Sequence, residues 1–207
     1  THLSEFAQSD KPLRELFPGG GFALHGNSKV FAPAGIAAAF YTTARPKKRK
    51  EVLALVLPVS LTAMLIGITE PLEFTFLFVA PPLFAVHAVL AATMASIMYM
   101  FGLSGNMGGG LLDNFIFLNW VPLWQNHWPT YLMQIGVGLC FTVIYFLLFR
   151  FLILKFDFKT PGREAEGGET KLYSKAEYKA AKAAEKKGGA SAEDGDTDLY
   201  APRAAGF

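Results

Sequence analysis

Residues 131–154 read YLMQIGVGLCFTVIYFLLFRFLIL and hold a single charged side chain, Arg150. A hydrocarbon core about 30 Å thick is crossed by roughly 20 apolar residues in a helix. The stretch meets that length, and Arg150 lies near enough to its end to snorkel to the interface. Trp120, Trp124, Trp128 and Tyr131 gather at the other end, where an interfacial aromatic belt belongs. A transmembrane helix is predicted here, and it sets the solvent in which the rest of the chain is read.

Composition changes along the chain. Up to about Ile153 it is rich in Phe, Leu, Val, Ala and Gly; from Lys155 it is rich in Lys, Glu, Ala and Gly. The net charge of +2 averages over that division. Its basic residues do not interleave with aromatics as a nucleic-acid surface would, so nucleic acid is excluded as a partner. The single cysteine, Cys140, has only apolar neighbours in sequence. It is expected to pack in a membrane helix rather than serve as a thiolate. The chain opens on Thr1 and stops at Phe207 without a closing element, so both ends read as cuts. In ARPKKRKE, residues 44–51, five basic side chains meet one acidic one. The positive-inside rule places residues 45–51 in the cytoplasm, and the final helix then delivers the C-terminal tail there too.

Other apolar stretches are interrupted. Ala54–Ile68 and Phe74–Phe101 carry no Asp, Glu, Lys or Arg, but Pro58, Pro71, Pro81 and Pro82 punctuate the series, and Gly102, Gly105 and Gly108–Gly110 follow. Broken hydrophobic segments point to a transporter site, because discontinuous helices expose backbone groups at the midplane. Residues 53–86 are read as a helical hairpin and residues 83–101 as a crossing helix. Val30–Ala44, with Pro33 inside, reads as a half-membrane element or a partner helix in a hairpin. The expected fold class is an all-α integral membrane protein with broken helices and re-entrant hairpins. Residues 1–156 form its membrane domain and residues 157–207 a cytoplasmic linker. Within that linker Ser174–Lys187 has helix-forming composition and residues 188–207 look disordered.

Between the two uncharged stretches stand Glu70 and Glu73, separated by Pro71 and Leu72, in GITEPLEF. An acidic group at a bilayer centre costs about 2.5–3.5 kcal/mol on insertion scales. These carboxylates therefore face a wet cavity, find partners, stay neutral, or lie on a solvated loop. Pro71 removes a backbone donor and disfavours the α conformation at Glu70, which puts Glu70 at a helix break. His25 and Asn27, in GGGFALHGN, offer polar groups beside glycines that permit close approach; a loop capping a helix fits them equally well. His87, alone in LFAVHAVLAA, reads as a packed residue bonded to backbone. Asn106 and Asp113–Asn114 flank MGGGLL, which matches neither a Walker loop nor a dinucleotide fingerprint. No Cys/His metal-ligand spacing occurs, so no metal is expected.

GITEPLEFTFLFVAPPLF resembles the signature segment of enzyme IIC, the membrane permease of bacterial phosphoenolpyruvate-dependent sugar phosphotransferase systems, within the glucose superfamily. LFPGGGFALHGNSKVF, AFYTTARPKKRKEV and GLLDNFIFLNW are similar to the branch that takes maltose, α-glucosides and arbutin-like glucosides. The resemblance covers residues 13–175, and KFDFKTPGRE with ETKLYSK resembles the linker to an enzyme IIB domain. It implies the C-terminal half of a carrier in the bacterial cytoplasmic membrane, homodimeric when complete, that phosphorylates its sugar during uptake. It also implies enzyme IIB and enzyme IIA partners, membrane lipid around the helices, and no cofactor beyond a phosphoryl group from a IIB phosphocysteine. Glu70 is then the sugar-binding glutamate and a possible general base, with Thr69, His25 and Asn27 as further substrate contacts. On this reading the chain acts as part of a complete sugar phosphotransferase and is not expected to be active alone. The residues alone also admit another carrier, in which Glu70 and Glu73 relay protons or hold a cation without phosphoryl transfer.

Overall fold

Helices make up all the regular structure in the computed structural model, which describes residues 8–16 and 24–164. In chain order they are α1 (Leu13–Leu16), α2 (Gly26–Thr43), α3 (Arg49–Ile66), α4 (Glu70–Val79) and α5 (Pro81–Met100). A π-helical segment, Leu111–Trp120, then runs into α6 (Val121–Phe156). The helix expected over Ser174–Lys187 and the disorder expected over 188–207 lie outside the described residues.

Among the described residues, two stretches, Pro81–Met100 and Leu111–Phe156, are long and apolar enough to cross a membrane. The surface agrees. On α3 the inner row is Val52, Val56, Ser60 and Ala63, whereas Leu53, Leu57, Leu61 and Leu65 form an exposed outer row. Leu132, Leu139, Val143, Leu147 and Leu154 do the same on α6. Apolar rows of this size on the outside suit lipid and would be a liability in water. The protein is an all-α membrane protein, as the sequence predicts.

α2 lies at the centre, with Val30, Phe31, Ala32, Ile36, Ala39 and Phe40 all buried, as expected for a helix apolar on every side. It is longer than the half-membrane element expected over Val30–Ala44. The polar start is accommodated internally: Asn27 Nδ2 donates to Leu24 O at 2.8 Å and Ser28 Oγ to His25 O at 2.8 Å. Its end follows from Pro46. The proline ring crowds the preceding residue, and Arg45 is extended (φ −57°, ψ 139°).

Breaks rather than smooth spans shape the other segments. α3 stops at Gly67, which adopts the left-handed conformation (φ 88°) and donates its N–H to Ala63 O at 2.9 Å. α4 stops at Ala80 (φ −146°, ψ 72°), ahead of Pro81 and Pro82, which open α5. The hairpin read over 53–86 therefore contains two turns, and the crossing helix begins at Pro81. Fourteen residues of straight helix would extend roughly 21 Å. Yet Glu73 and His87, fourteen apart, meet at 3.6 Å, so the chain folds back sharply at Ala80. Trp120 and Gln134, also fourteen apart, are hydrogen-bonded at 3.0 Å. The long helix is thus strongly bent between them, over a stretch that contains Pro129. Beyond that bend lies the crossing part predicted over Tyr131–Leu154.

α2 and α6 meet through glycines. A Cβ on Gly35 would fall 2.3 Å from Thr142 O, and one on Gly138 would fall 2.4 Å from the Phe31 ring. Thr142 Oγ1 donates to Phe31 O at 2.8 Å across the same seam. Membrane helices associate by such close backbone approach, since lipid supplies no hydrophobic drive between them. Cys140 lies on this helix but on its exposed face, not packed as expected. Both 139 and 140 fall between the buried positions 138 and 141.

After α6, Asp157 is left-handed (φ 49°) and the chain turns back onto the elbow between α2 and α3. Arg45 N donates to Gly162 O at 3.1 Å, Arg163 Nη1 donates to Thr43 O at 3.1 Å, and Lys48 pairs with Glu164 at 3.4 Å. Gly162 (φ 83°) is pressed against Ala44 and Val52.

Gly138→Val is expected to destabilise the full-length protein by about 1–3 kcal/mol through overpacking against Phe31. Gly136→Val, where a Cβ meets nothing within 4 Å, should stay within about 0.5 kcal/mol. Melting of both variants in detergent checks the pair.

Candidate functional site

The GITEP turn is built by its own residues. Gly67 supplies the left-handed step, and Thr69 O caps α4 by accepting from Leu72 N at 3.1 Å and Glu73 N at 2.9 Å. Pro71 occupies the first turn of α4, where a missing N–H costs nothing. Glu70 becomes the first residue of α4 and is exposed; Thr69 is buried. The helix break predicted at Glu70 is where the sequence put it. The carboxylate stands at the surface of the described residues, not in an enclosed hollow. A helix N-terminus favours a negative side chain there.

The turn rests on a glycine seat. A Cβ at Gly67 would lie 2.7 Å from Gly110 N and 2.8 Å from Gly109 C, and one at Gly110 would lie 2.4 Å from Leu65 O. The start of α2 uses the same loop, for a Cβ at Gly26 would fall onto Met107 O. The start of α2 at Gly26 and the GITEP turn at Gly67 are therefore both held against the stretch Met107–Gly110. Asparagines fix that loop. Asn106 Oδ1 accepts from Gly108 N at 3.1 Å, and Asn106 O accepts from Asn114 Nδ2 at 3.3 Å and Asn119 Nδ2 at 3.0 Å. Sequence reasoning missed this role for MGGGLL; the run of glycines next to asparagines was its signal.

Asn27 sits in the packing between α2 and the bent arm. It is fully buried, and its Oδ1 accepts from Gln134 Nε2 at 2.7 Å, while Gln134 Oε1 accepts from Trp120 Nε1. Asn27 Nδ2 donates to Leu24 O, and among the described residues no side chain caps the start of α2. His25 beside it is exposed.

Glu73 was legible as a carboxylate in an apolar stretch, but its partners were not. Its Oε1 lies 3.6 Å from His87 Nε2, and His87 Nδ1 lies 3.1 Å from Tyr145 Oη on α6. The same hydroxyl is 3.1 Å from His87 O. Phe76 and Phe84 surround the imidazole at centroid distances of 5.8 and 6.1 Å. Thr69 and Lys29 also act on Glu73. His87 is packed, as expected, but its partners are a carboxylate and a phenol in place of backbone alone. Among the described residues, an apolar cavity of about 150 Å³ lies between α2 and α3, and one of about 240 Å³ lies beside Leu24, Ala95, Ser96 and Tyr99. Neither is lined by Glu70.

An all-helical membrane protein whose helices break on glycine and proline around an exposed carboxylate has the construction of a broken-helix transporter. Residues 5–92 match the family model Phosphotransferase system, EIIC. The PTS system alpha-glucoside-specific EIICB component of Leptotrichia buccalis is 61% identical across 99% of this chain and 38% of its own length. The PTS system maltose-specific EIICB component of Bacillus subtilis is 64% identical across 86% and 34% respectively. An alpha-glucoside-specific EIICB component of Klebsiella pneumoniae is 62% identical across 87% and 33%. The chain belongs to the EIIC family of the phosphotransferase system. It spans about a third of the length of these curated relatives.

Gln134→Ala would leave Asn27 Oδ1 and Trp120 Nε1 without their partner. A buried polar group stranded this way costs about 1–3 kcal/mol. The expected result is a lower melting temperature for the full-length protein.

Proposed function

We propose that this chain forms part of a permease that takes up an α-glucoside or maltose and releases it phosphorylated into the cytoplasm. Glu70 is its sugar-binding carboxylate. The observation that carries this reading is the exposed carboxylate held on a rigid, glycine-seated helix start, in a chain whose relatives are named for α-glucosides and maltose. A carboxylate accepts two hydrogen bonds from neighbouring hydroxyls, and charge-assisted bonds are about twice as strong as neutral ones. Thr69, next to it, adds a hydroxyl, and His25 an imidazole that is exposed.

Phosphoryl transfer requires mainly positioning and a group that orients the attacking hydroxyl. Glu70, within reach of a bound sugar, serves as that base by accepting the hydroxyl proton as the phosphorus is attacked. The phosphoryl group comes from a phosphocysteine on an enzyme IIB domain, recharged through enzyme IIA. The relatives' EIICB names support the first of these partners. The working unit is a homodimer in the bacterial cytoplasmic membrane. Residues 45–51 and the tail face the cytoplasm. The contacts of Arg45 and Lys48 with Gly162 and Glu164 support their lying on one side.

Uptake of labelled maltose and α-glucosides by the full-length protein is expected to require the phosphoenolpyruvate-driven phosphoryl chain and to deliver sugar phosphate. Uptake of unmodified sugar driven by a proton or sodium gradient would instead identify an ion-coupled carrier. Glu70→Gln is expected to weaken sugar binding about tenfold or more, the factor that 1.4 kcal/mol represents. Equilibrium binding of labelled sugar measures it.

A further inference from the structure

We propose that Glu73, His87 and Tyr145 form a positioning device that fixes the orientation of α4 and so aims Glu70 at the sugar. The proposal rests on the reading of Glu70 as the binding carboxylate. An ionisable pair inside a membrane protein is costly unless it has a task. This one is only partly screened, with the Glu73 side chain 26% and the His87 side chain 11% exposed.

The task follows from where α4 is weak. It is ten residues long and bracketed by non-helical backbone, Gly67–Thr69 on one side and Ala80 on the other. Its buried apolar anchors are Leu72 in the first turn and Phe76 near the middle, the latter meeting Phe40 at 6.4 Å and Phe149 at 5.5 Å between centroids. These contacts are apolar and non-directional; Glu73 adds a directional polar contact in the same first turn. Glu73 lies one turn from Glu70, and its contact with His87 ties that first turn to α5. Tyr145 then ties His87 to α6. Three helices are linked through one imidazole.

The hydrogen bonding gives the chain a direction. With its single proton Tyr145 O–H donates to His87 Nδ1, which leaves the tautomer whose Nε2–H faces Glu73. Because Tyr145 Oη is equally close to His87 O, it can donate there instead when Nδ1 is itself protonated. His87 thus keeps a donor toward Glu73 in either protonation state. None of the three groups touches the reacting atoms in this reading. Losing one should cost sugar affinity and leave the saturated phosphorylation rate intact.

The test measures sugar Kd, KM, kcat and melting temperature for the full-length protein. Glu73→Ala and His87→Ala are expected to raise Kd and KM about tenfold, with kcat within about twofold. Glu73→Gln, which keeps an acceptor oxygen facing Nε2, should restore affinity to within about threefold of the native value. The double variant Glu73→Ala/His87→Ala should be no worse than either single one, as expected for two members of one interaction. Tyr145→Phe, which keeps the ring, should weaken binding about threefold and decides the matter if the alanine variants fail to fold. Native affinity in Glu73→Ala or His87→Ala, or in Tyr145→Phe should those not fold, overturns the proposal when Glu70→Gln binds weakly. Native affinity in Glu70→Gln itself overturns the binding reading and this proposal with it. Loss of affinity that Glu73→Gln does not restore, with kcat falling in step, also overturns it.

Discussion

Backbone polar groups have no water to turn to inside a bilayer, and every break in a helix must be covered by protein. This chain contains several such breaks, and it covers them with glycine. The Gly67 turn lies directly on the backbone of Gly109 and Gly110, at separations a side chain on Gly67 would not allow. The start of α2 lies on Met107 in the same way. One short loop therefore supports both the start of α2 and the GITEP turn, and asparagines at 106, 114 and 119 hold that loop in place. Without this seat the start of α4 would have no fixed position, and the carboxylate at its tip could not be rigidly presented.

The same structure separates two carboxylates that look alike in sequence. Glu70 opens α4 and is exposed, while Glu73, three residues on, is turned inward to His87. A ligand-binding group has to be accessible, and the groups that support it have to be satisfied by protein. The apolar surroundings that make an unpaired Glu73 costly also make its pairing to His87 a strong constraint. On the proposed reading of Glu70 as the sugar-binding carboxylate, affinity is a property of the whole junction of α4, α5 and α6.

Much of this was legible from residues alone. The crossing part of α6 follows from an uncharged run of the right length. The break before Glu70 follows from Gly67 and Pro71, and the start of α5 from Pro81 and Pro82. These signals are local, because proline and glycine act on their own backbone. What was not legible depends on closures in space. Nothing in the pattern says that Ala80 folds α4 back on α5, or that the helix bends between Trp120 and Gln134. His87 meets Tyr145 across 58 positions of sequence, so it read as an isolated packed histidine. Asn27 pairs with Gln134, 107 positions away, a contact that no local pattern announces. Cys140 shows the same limit in miniature, since helical phase decides whether a small residue faces protein or lipid.

The central claim is that the acidic side chain at the start of α4 touches a polyhydroxylated solute. A structure of the full-length protein with bound maltose or another α-glucoside tests this most directly. The account predicts both oxygens of Glu70 within about 2.7–3.0 Å of sugar hydroxyls, the range for bonds to a carboxylate. A sugar bound elsewhere, with Glu70 still facing solvent and no hydroxyl in reach, would contradict it.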